Sequence, residues 1–187
     1  MKKLFLLITA SILMSSISYS QEKLNINIQK STIKWLGEYT FYFGGHDGFI
    51  NFKEGYFIKK NEVIIGGEFI IDMDSLTNTD IEEKEGKNNL INHLKDADFF
   101  DVKKFPISKL EITKVNYKDK NNVRIEADLT TKGITKPINF RAIFNYAEKE
   151  LKTRFKIDRK RWNVNYESKF KDGAISDAIG FEVSIKL

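Results

Sequence analysis

Apolar and polar residues alternate along most of the chain, which is the pattern of half-buried β-strands. Successive side chains of a strand point to opposite faces, so each such run has one apolar and one polar face. Strands of this kind are typical of an antiparallel sheet that is wet on one side. The six clearest runs begin at Ile33, Val63, Val123, Ile138, Leu151 and Ile179.

The alternation also predicts which side chains point inward. In the first run, Trp35 and Phe41 share the apolar parity, and in the second run Val63, Ile65 and Phe69 share it. Across all runs, the aromatic residues that we predict to face inward are Trp35, Phe41, Phe69, Phe140, Phe144, Phe155 and Phe181.

Two further strands, near residues 48–58 and 106–117, bring the number to about eight. Turn signals separate them at the spacing of an all-β barrel or sandwich. Lys132-Gly133 predicts a tight turn, and Glu148-Lys149-Glu150 predicts a looser one. We predict an all-β fold, a closed antiparallel barrel of eight strands with one short helical insertion.

The helical insertion is predicted from about Lys87 to Asp96, where Leu90, Ile91 and Leu94 form one apolar stripe. An N-terminal cap is predicted at residues 79–83, upstream of this stripe.

The interior of a barrel of about eight strands is either filled by side chains or holds one small ligand. The chain contains 15 Phe, and many share the inward parity. Aromatic residues dominate ordinary protein cores, so the rings alone favour a filled core over a pocket.

The N-terminus has the layout of a secretory signal peptide. Lys2 and Lys3 precede an apolar run from Leu4 to Met14, and a small-residue pattern ends at Ser20. The run is shorter than the roughly 20 residues that span a bilayer. We predict cleavage after Ser20, which leaves residues 21–187 as a single domain in the periplasm or outside the cell.

Composition limits the classes of partner and of chemistry. The formal net charge of +5 includes Lys2 and Lys3, so the predicted mature domain is only mildly basic. Nucleic-acid binding would call for a clustered basic face. The chain has no cysteine, which excludes disulfides.

An enzyme is the minority interpretation. His46 and His93 are the two histidines, and neither lies in a recognised metal-ligand spacing. Asp72 and Asp74 could act as paired carboxylates, but acids at such a place more often end a strand, as part of a turn. We predict no catalytic residues, no metal site and no cofactor.

Several short stretches in order carry a resemblance to a known family. They are Trp35-Leu36-Gly37, His46-Asp47-Gly48, Ile71-Asp72-Met73-Asp74-Ser75-Leu76, residues 93–102 (HLKDADFFDV), Phe105-Pro106, residues 129–137 (LTTKGITKP) and Ile157-Asp158-Arg159. The chain resembles the YceI family of secreted, lipocalin-like proteins that bind polyisoprenoids, from about Ile28 to Leu187.

The resemblance implies an elongated barrel with a helix beside it and an apolar pore. The pore would hold an isoprenoid quinone or a polyprenyl phosphate, and the inward rings listed above would line it. A carrier of such a lipid could contact a membrane transiently, and the sequence leaves the oligomeric state open, a dimer included. Two alternatives stay open: a structural or stress-protective barrel filled by its own side chains, and a hydrolase or metal enzyme.

The resemblance also assigns residues 88–100 to a helical lid on the pore. Phe99 and Phe100 would face the barrel, and Leu90 and Leu94 would anchor the helix. The alternative, that this segment only completes the core, stays open.

Two polar residues are candidates for contact with a ligand headgroup. His46 lies among three glycines and is either a structural histidine of a hairpin loop or a residue of the pore mouth. Arg159 could bind a phosphate or a quinone carbonyl, or it could form an ion pair with Asp158 that braces a strand corner.

Overall fold

The computed structural model describes residues 20–41, 43–166 and 175–187. In these ranges the chain forms one α-helix, α1 (Lys84–Lys95), and nine strands. The strands are β1 (Glu22–Asn25), β2 (Thr32–Tyr39), β3 (Gly45–Lys60), β4 (Val63–Asp72), β5 (Ile107–Tyr117), β6 (Asn122–Thr131), β7 (Ile134–Asn145), β8 (Glu150–Asp158) and β9 (Ile175–Lys186). The predicted signal peptide lies outside the described residues, apart from Ser20. Among the helices described, none is long and apolar enough to cross a membrane.

Strands β2 to β9 close into a barrel. Their order is β3-β2-β9-β8-β7-β6-β5-β4, and β4 pairs again with β3, every pair being antiparallel. This confirms the predicted eight-stranded antiparallel barrel. The short strand β1 pairs with the second half of β3, outside the closed ring.

Inward parity follows the sequence pattern closely in β6 and β7. Val123, Ile125, Ala127 and Leu129 are buried, and Ile125 lies opposite Phe140 of β7. The polar residues between them form the outer face, so these two strands supply a continuous inner wall.

The inward parity predicted for the start of β4 is wrong. Ile64 is 2% exposed, whereas Val63 and Ile65 are 39% and 37% exposed. The register between β3 and β4 shifts by one residue between Ile58 and Lys59. A β-bulge of this kind places an extra residue in one strand and reverses the parity beyond it.

The inward position predicted for Phe41 is also wrong. Strand β2 ends at Tyr39, and Phe41 is 68% exposed in the connection to β3. Gly44 has φ +114°, a conformation that glycine adopts without a steric cost, and it redirects the chain into β3. His46 therefore lies within β3 and not in a hairpin loop.

The predicted tight turn joins β6 to β7. Lys132 and Gly133 both have positive φ, at 51° and 73°. Two such residues make the type I′ turn that matches the twist of a hairpin. Phe105 packs against Gly133, where an added Cβ would lie 2.8 Å from the Phe105 ring.

Helix α1 begins three residues earlier than predicted. The Glu83 carboxylate accepts hydrogen bonds from the backbone N–H groups of Glu85 and Gly86, and so caps the helix N-terminus. The helix ends at Lys95, and the Asp96 N–H donates to the carbonyl oxygen of His93. Residues 96–106 then lead back to β5.

Candidate functional site

The barrel encloses an apolar cavity of about 330 Å³. Side chains from all eight strands of the closed ring and from α1 line it. The volume is at the lower end of the roughly 300–1,000 Å³ of small-molecule pockets. Almost all of the lining consists of aromatic and aliphatic side chains, so the cavity suits a hydrocarbon.

The structure brings most of the predicted lining residues together. Those in the cavity wall are Trp35, Phe69, Phe99, Phe100, Phe140, Phe155 and Phe181. Phe144 is buried but lies behind the wall, and Phe41 is exposed outside it. Sequence parity identified the inward face of most strands, apart from the start of β4 and Phe41, but could not show how deep the cavity extends.

Three rings form one side of the cavity. Phe140 stacks on Phe155 with ring centroids 4.5 Å apart, and Phe155 lies 5.5 Å from Phe181. These rings span β7, β8 and β9. The β7–β8 ladder covers only Ala142–Asn145 on the β7 side, so the Phe140–Phe155 stack joins the two strands where their backbones separate.

One end of the barrel is filled by aromatic side chains. Phe57 lines the cavity there, and its ring meets Phe144 edge to face with centroids 5.5 Å apart. Phe144 in turn stacks on Tyr146. The Tyr117 hydroxyl donates to the Ile64 carbonyl and bonds the Tyr146 hydroxyl at 2.8 Å. We call these four rings the aromatic floor.

The opposite end is covered by α1 and residues 96–106. Leu90 and Leu94 of the helix line the cavity, and so do Phe99 and Phe100, whose ring centroids are 5.0 Å apart. Asp96 and Asp98 are exposed. The segment thus presents carbon to the barrel and carboxylates to solvent, and we call residues 84–100 the lid.

Lys132 holds the lid to the barrel rim. Its Nζ donates hydrogen bonds to the carbonyl oxygens of Ala97, Phe99 and Asn163, at 3.0, 2.7 and 3.1 Å. An ammonium group has three donors, and all three are used here. Lys132 reaches the lid from the β6–β7 hairpin turn, where its φ is positive.

His46 lies at the cavity rim with both ring nitrogens engaged. Nε2 bonds the Tyr39 hydroxyl at 2.9 Å, and Nδ1 bonds Asp80 Oδ2 at 2.7 Å. Burial would raise the pKa of Asp80, but hydrogen bonds from the Asp47 N–H, His46 and Asn78 hold it below its ordinary value. Asp80 therefore anchors His46. Within the predicted cap at residues 79–83, Glu83 caps α1 and Asp80 does not.

Residues 77–80 form a strap along β3, where β4 no longer pairs with it. The Thr77 N–H donates to the Phe49 carbonyl, and the Thr79 N–H donates to the Asp47 carbonyl. Trp35 Nε1 donates to the Thr77 carbonyl at 3.0 Å. Gly48 permits this approach, since a Cβ on it would lie 1.9 Å from the Thr77 oxygen.

Arg159 borders the cavity and is itself 3% exposed. Its guanidinium donates to the carbonyl oxygens of Ser176 and Val164 and pairs with Asp177 at 3.3 Å. The predicted partner Asp158 instead accepts a hydrogen bond from the Lys160 N–H. Arg159 thus braces a strand corner, and does so through a different acid.

Sequence reasoning did not identify His93 as a site residue. The residue lies in α1 and lines the cavity, with its ring edge to face on Tyr166 at 4.2 Å between centroids. Helical spacing contains the signal, because residues three apart share a helix face and His93 is three residues after Leu90. In the parts of the chain that the structure describes, no cluster of three or more potential metal ligands occurs.

Comparisons with known proteins identify the family. The family model of the YceI-like domain matches residues 24–187. A UPF0312 protein of Pseudomonas putida strain GB-1 is 43% identical over 53 residues, and one of Pseudomonas fluorescens strain SBW25 is 40% identical over 53 residues. Each alignment covers 28% of this chain and 28% of the relative's own length.

A solved structure shares the fold. BcnA of Burkholderia cenocepacia aligns with a TM-score of 0.70 at 16% identity, over 86% of this chain and 98% of its own. This likeness shows the fold, and the family model that matches residues 24–187 assigns the family. The protein belongs to the YceI-like family.

Proposed function

We propose that this protein is an exported, non-catalytic carrier of a long-chain isoprenoid lipid, either an isoprenoid quinone or a polyprenyl phosphate. The observation that carries the proposal is the covered cavity, which is lined almost wholly by carbon. Export to the periplasm or beyond is supported by the N-terminal sequence pattern and by the family resemblance.

The chemistry of the lining favours such a ligand over polar ones. A sugar or a peptide would lose hydration without replacement, at roughly 2–7 kcal/mol for each polar group. A prenyl tail loses no hydrogen bond and gains about 25 cal/mol for each Å² removed from water. The alternative, a stress-protective barrel filled by its own side chains, does not account for open space between Phe69, Phe140 and Phe181.

The test begins with cargo identification. Protein purified from an exporting host is extracted with organic solvent, and any lipid is identified by mass spectrometry. Delipidated protein is then titrated with a long-chain quinone, a polyprenyl phosphate and their water-soluble headgroup analogues. We expect binding of the tailed compounds only.

A matched pair of variants separates the cavity from the outer surface. Phe140→Glu places a charge in the cavity wall, and Arg141→Glu places the same charge on the exposed neighbouring position of β7. We expect Phe140→Glu to abolish uptake and Arg141→Glu to retain it. If well-folded apo-protein binds no isoprenoid, or binds a tail-less analogue equally well, the carrier function is wrong.

A further inference from the structure

A buried polar atom is left unsatisfied in one residue of the cavity wall. His93 Nε2 is inaccessible to solvent and has no hydrogen-bond partner among the described residues. Buried polar groups are rarely left unpaired, and each exception calls for an explanation. The cavity is apolar around it, so the wall offers little to satisfy this nitrogen.

The His93 ring is fixed in place by its neighbours. It lies edge to face on Tyr166, at 4.2 Å between centroids, and on Phe99, at 5.7 Å. His93 lies in the last turn of α1, and its side chain lines the cavity. This packing holds the unpaired nitrogen in one place beside the cavity.

A cation lies on another side of the same ring cluster. The Arg159 guanidinium is 6.0 Å from the Phe99 ring centroid, so His93 and Arg159 both flank Phe99. Arg159 directs three of its five N–H donors to Ser176, Val164 and Asp177. The positive charge of the guanidinium would stabilise a ligand oxygen nearby that carries negative charge.

At the rim, by contrast, His46 is already satisfied. Tyr39 and Asp80 occupy both of its ring nitrogens. A headgroup could bond His46 only by displacing one of them. The rim histidine is therefore the weaker site for a ligand, although it was the one predicted from the sequence.

We propose that His93 is the interior headgroup-binding residue, whose Nε2–H donates a hydrogen bond to an oxygen acceptor on the prenyl ligand. This rests on the proposed carrier function and adds where the polar end is held, beneath the lid. A quinone carbonyl and a phosphate oxygen share this acceptor chemistry.

The test compares ligands with and without a headgroup. Delipidated wild-type, His93→Phe and His93→Gln proteins are titrated with menaquinone-4, geranylgeranyl phosphate and a headgroup-free C20 prenyl hydrocarbon. Phe keeps the ring packing, and Gln restores a donor. We expect His93→Phe to bind at least one headgroup ligand about tenfold more weakly, which corresponds to about 1.4 kcal/mol. We also expect unchanged hydrocarbon binding and a partial rescue by Gln.

The pattern of losses separates the outcomes. A loss for the quinone alone identifies a carbonyl acceptor, and a loss for the phosphate alone identifies a phosphate. An equal loss for all three ligands makes His93 a packing residue and overturns the proposal, as does no loss for any. Wild-type protein that binds no prenyl compound contradicts the carrier function itself.

A measurement on the wild-type protein does not depend on the variants folding. The ¹⁵N chemical shift of His93 Nε2 is recorded before and after addition of menaquinone-4 and geranylgeranyl phosphate. We expect a hydrogen-bond shift with at least one of these ligands and none with the hydrocarbon. An unchanged resonance at saturation with both headgroup ligands overturns the proposal.

Discussion

Lys132 Nζ donates a hydrogen bond to the carbonyl oxygen of Phe99 at 2.7 Å, which joins the β6–β7 turn to the lid. The same ammonium binds Ala97 and Asn163. One side chain therefore satisfies three carbonyl groups, two in the lid at Ala97 and Phe99 and one at Asn163. Phe99, whose carbonyl accepts this bond, lines the cavity.

Replacing Lys132 with Met should loosen the lid while leaving the barrel intact. We expect a loss of about 1.5–3 kcal/mol in the free energy of unfolding, because hydrogen bonds to a charged donor are lost. Hydrogen exchange at the amides of residues 97–100 should accelerate more than exchange in β6. Lys136→Met, at an exposed position on β7, is the control and should change neither quantity. Equal exchange rates at residues 97–100 in Lys132→Met and Lys136→Met would contradict the role of Lys132 in holding the lid.

Replacing Gly48 with Ala should detach the strap from β3. An added Cβ would lie 1.9 Å from the Thr77 carbonyl oxygen, so either the strap or the strand must move. Overpacking of this kind costs about 1–3 kcal/mol. Gly66→Ala is the control, because its nearest neighbour would be 3.6 Å away. Denaturant unfolding should show a loss for Gly48→Ala and a change below about 1 kcal/mol for Gly66→Ala.

Acid should weaken the strap through Asp80. The pKa of this carboxyl is lower in the folded chain than its ordinary value of 3.8, so its ionised form contributes stability at higher pH. That contribution is present above about pH 4 and is lost as the pH falls through the folded-state pKa. We expect Asp80→Asn to be less stable than wild type at pH 7.

The free energies of unfolding of wild type and of Asp80→Asn, plotted against pH, should converge below about pH 4, since a protonated Asp80 is uncharged like Asn. Asp98→Asn, at an exposed lid position, should follow the wild-type curve throughout. A constant difference between wild type and Asp80→Asn down to pH 2 would show that the charge of Asp80 is not involved.

The bulge in β4 can be tested with two neighbouring residues. Ile64→Ala should cost about 2–5 kcal/mol, because Ile64 is 2% exposed and its loss leaves a cavity. Ile65→Ala should cost less than about 1 kcal/mol, because Ile65 is on the outer face. Thermal unfolding of both variants measures the difference. The sequence pattern predicts the reverse order, so the result distinguishes the two parities.

These residues also show what sequence reasoning could reach. Alternation over whole strands predicted the barrel, because burial of one face requires it in every strand. It failed at Ile64 because one inserted residue reverses parity without altering composition. It failed at Phe41 because nothing in an alternating run marks the residue at which the ladder ends.

The polar part of the site was less accessible to prediction. The contact between His46 and Asp80 joins residues 34 positions apart in the chain, and it depends on the path of the strap. Arg159 was identified as a polar candidate, but its acid is Asp177 and not the adjacent Asp158. Which side chains pair depends on the path of the folded backbone, and the local sequence pattern does not contain that path.

Under the proposed function, the aromatic floor limits how a lipid can enter and leave the barrel. Phe57, Phe144, Tyr117 and Tyr146 close one end of the barrel with rings and a phenol–phenol hydrogen bond. A chain-like molecule therefore cannot thread through the protein from one side to the other. It must leave by the end through which it entered. The membrane or protein that supplies the lipid and the one that receives it must therefore contact the same end of the barrel, one after the other. Loading and release would then follow the same path in opposite directions.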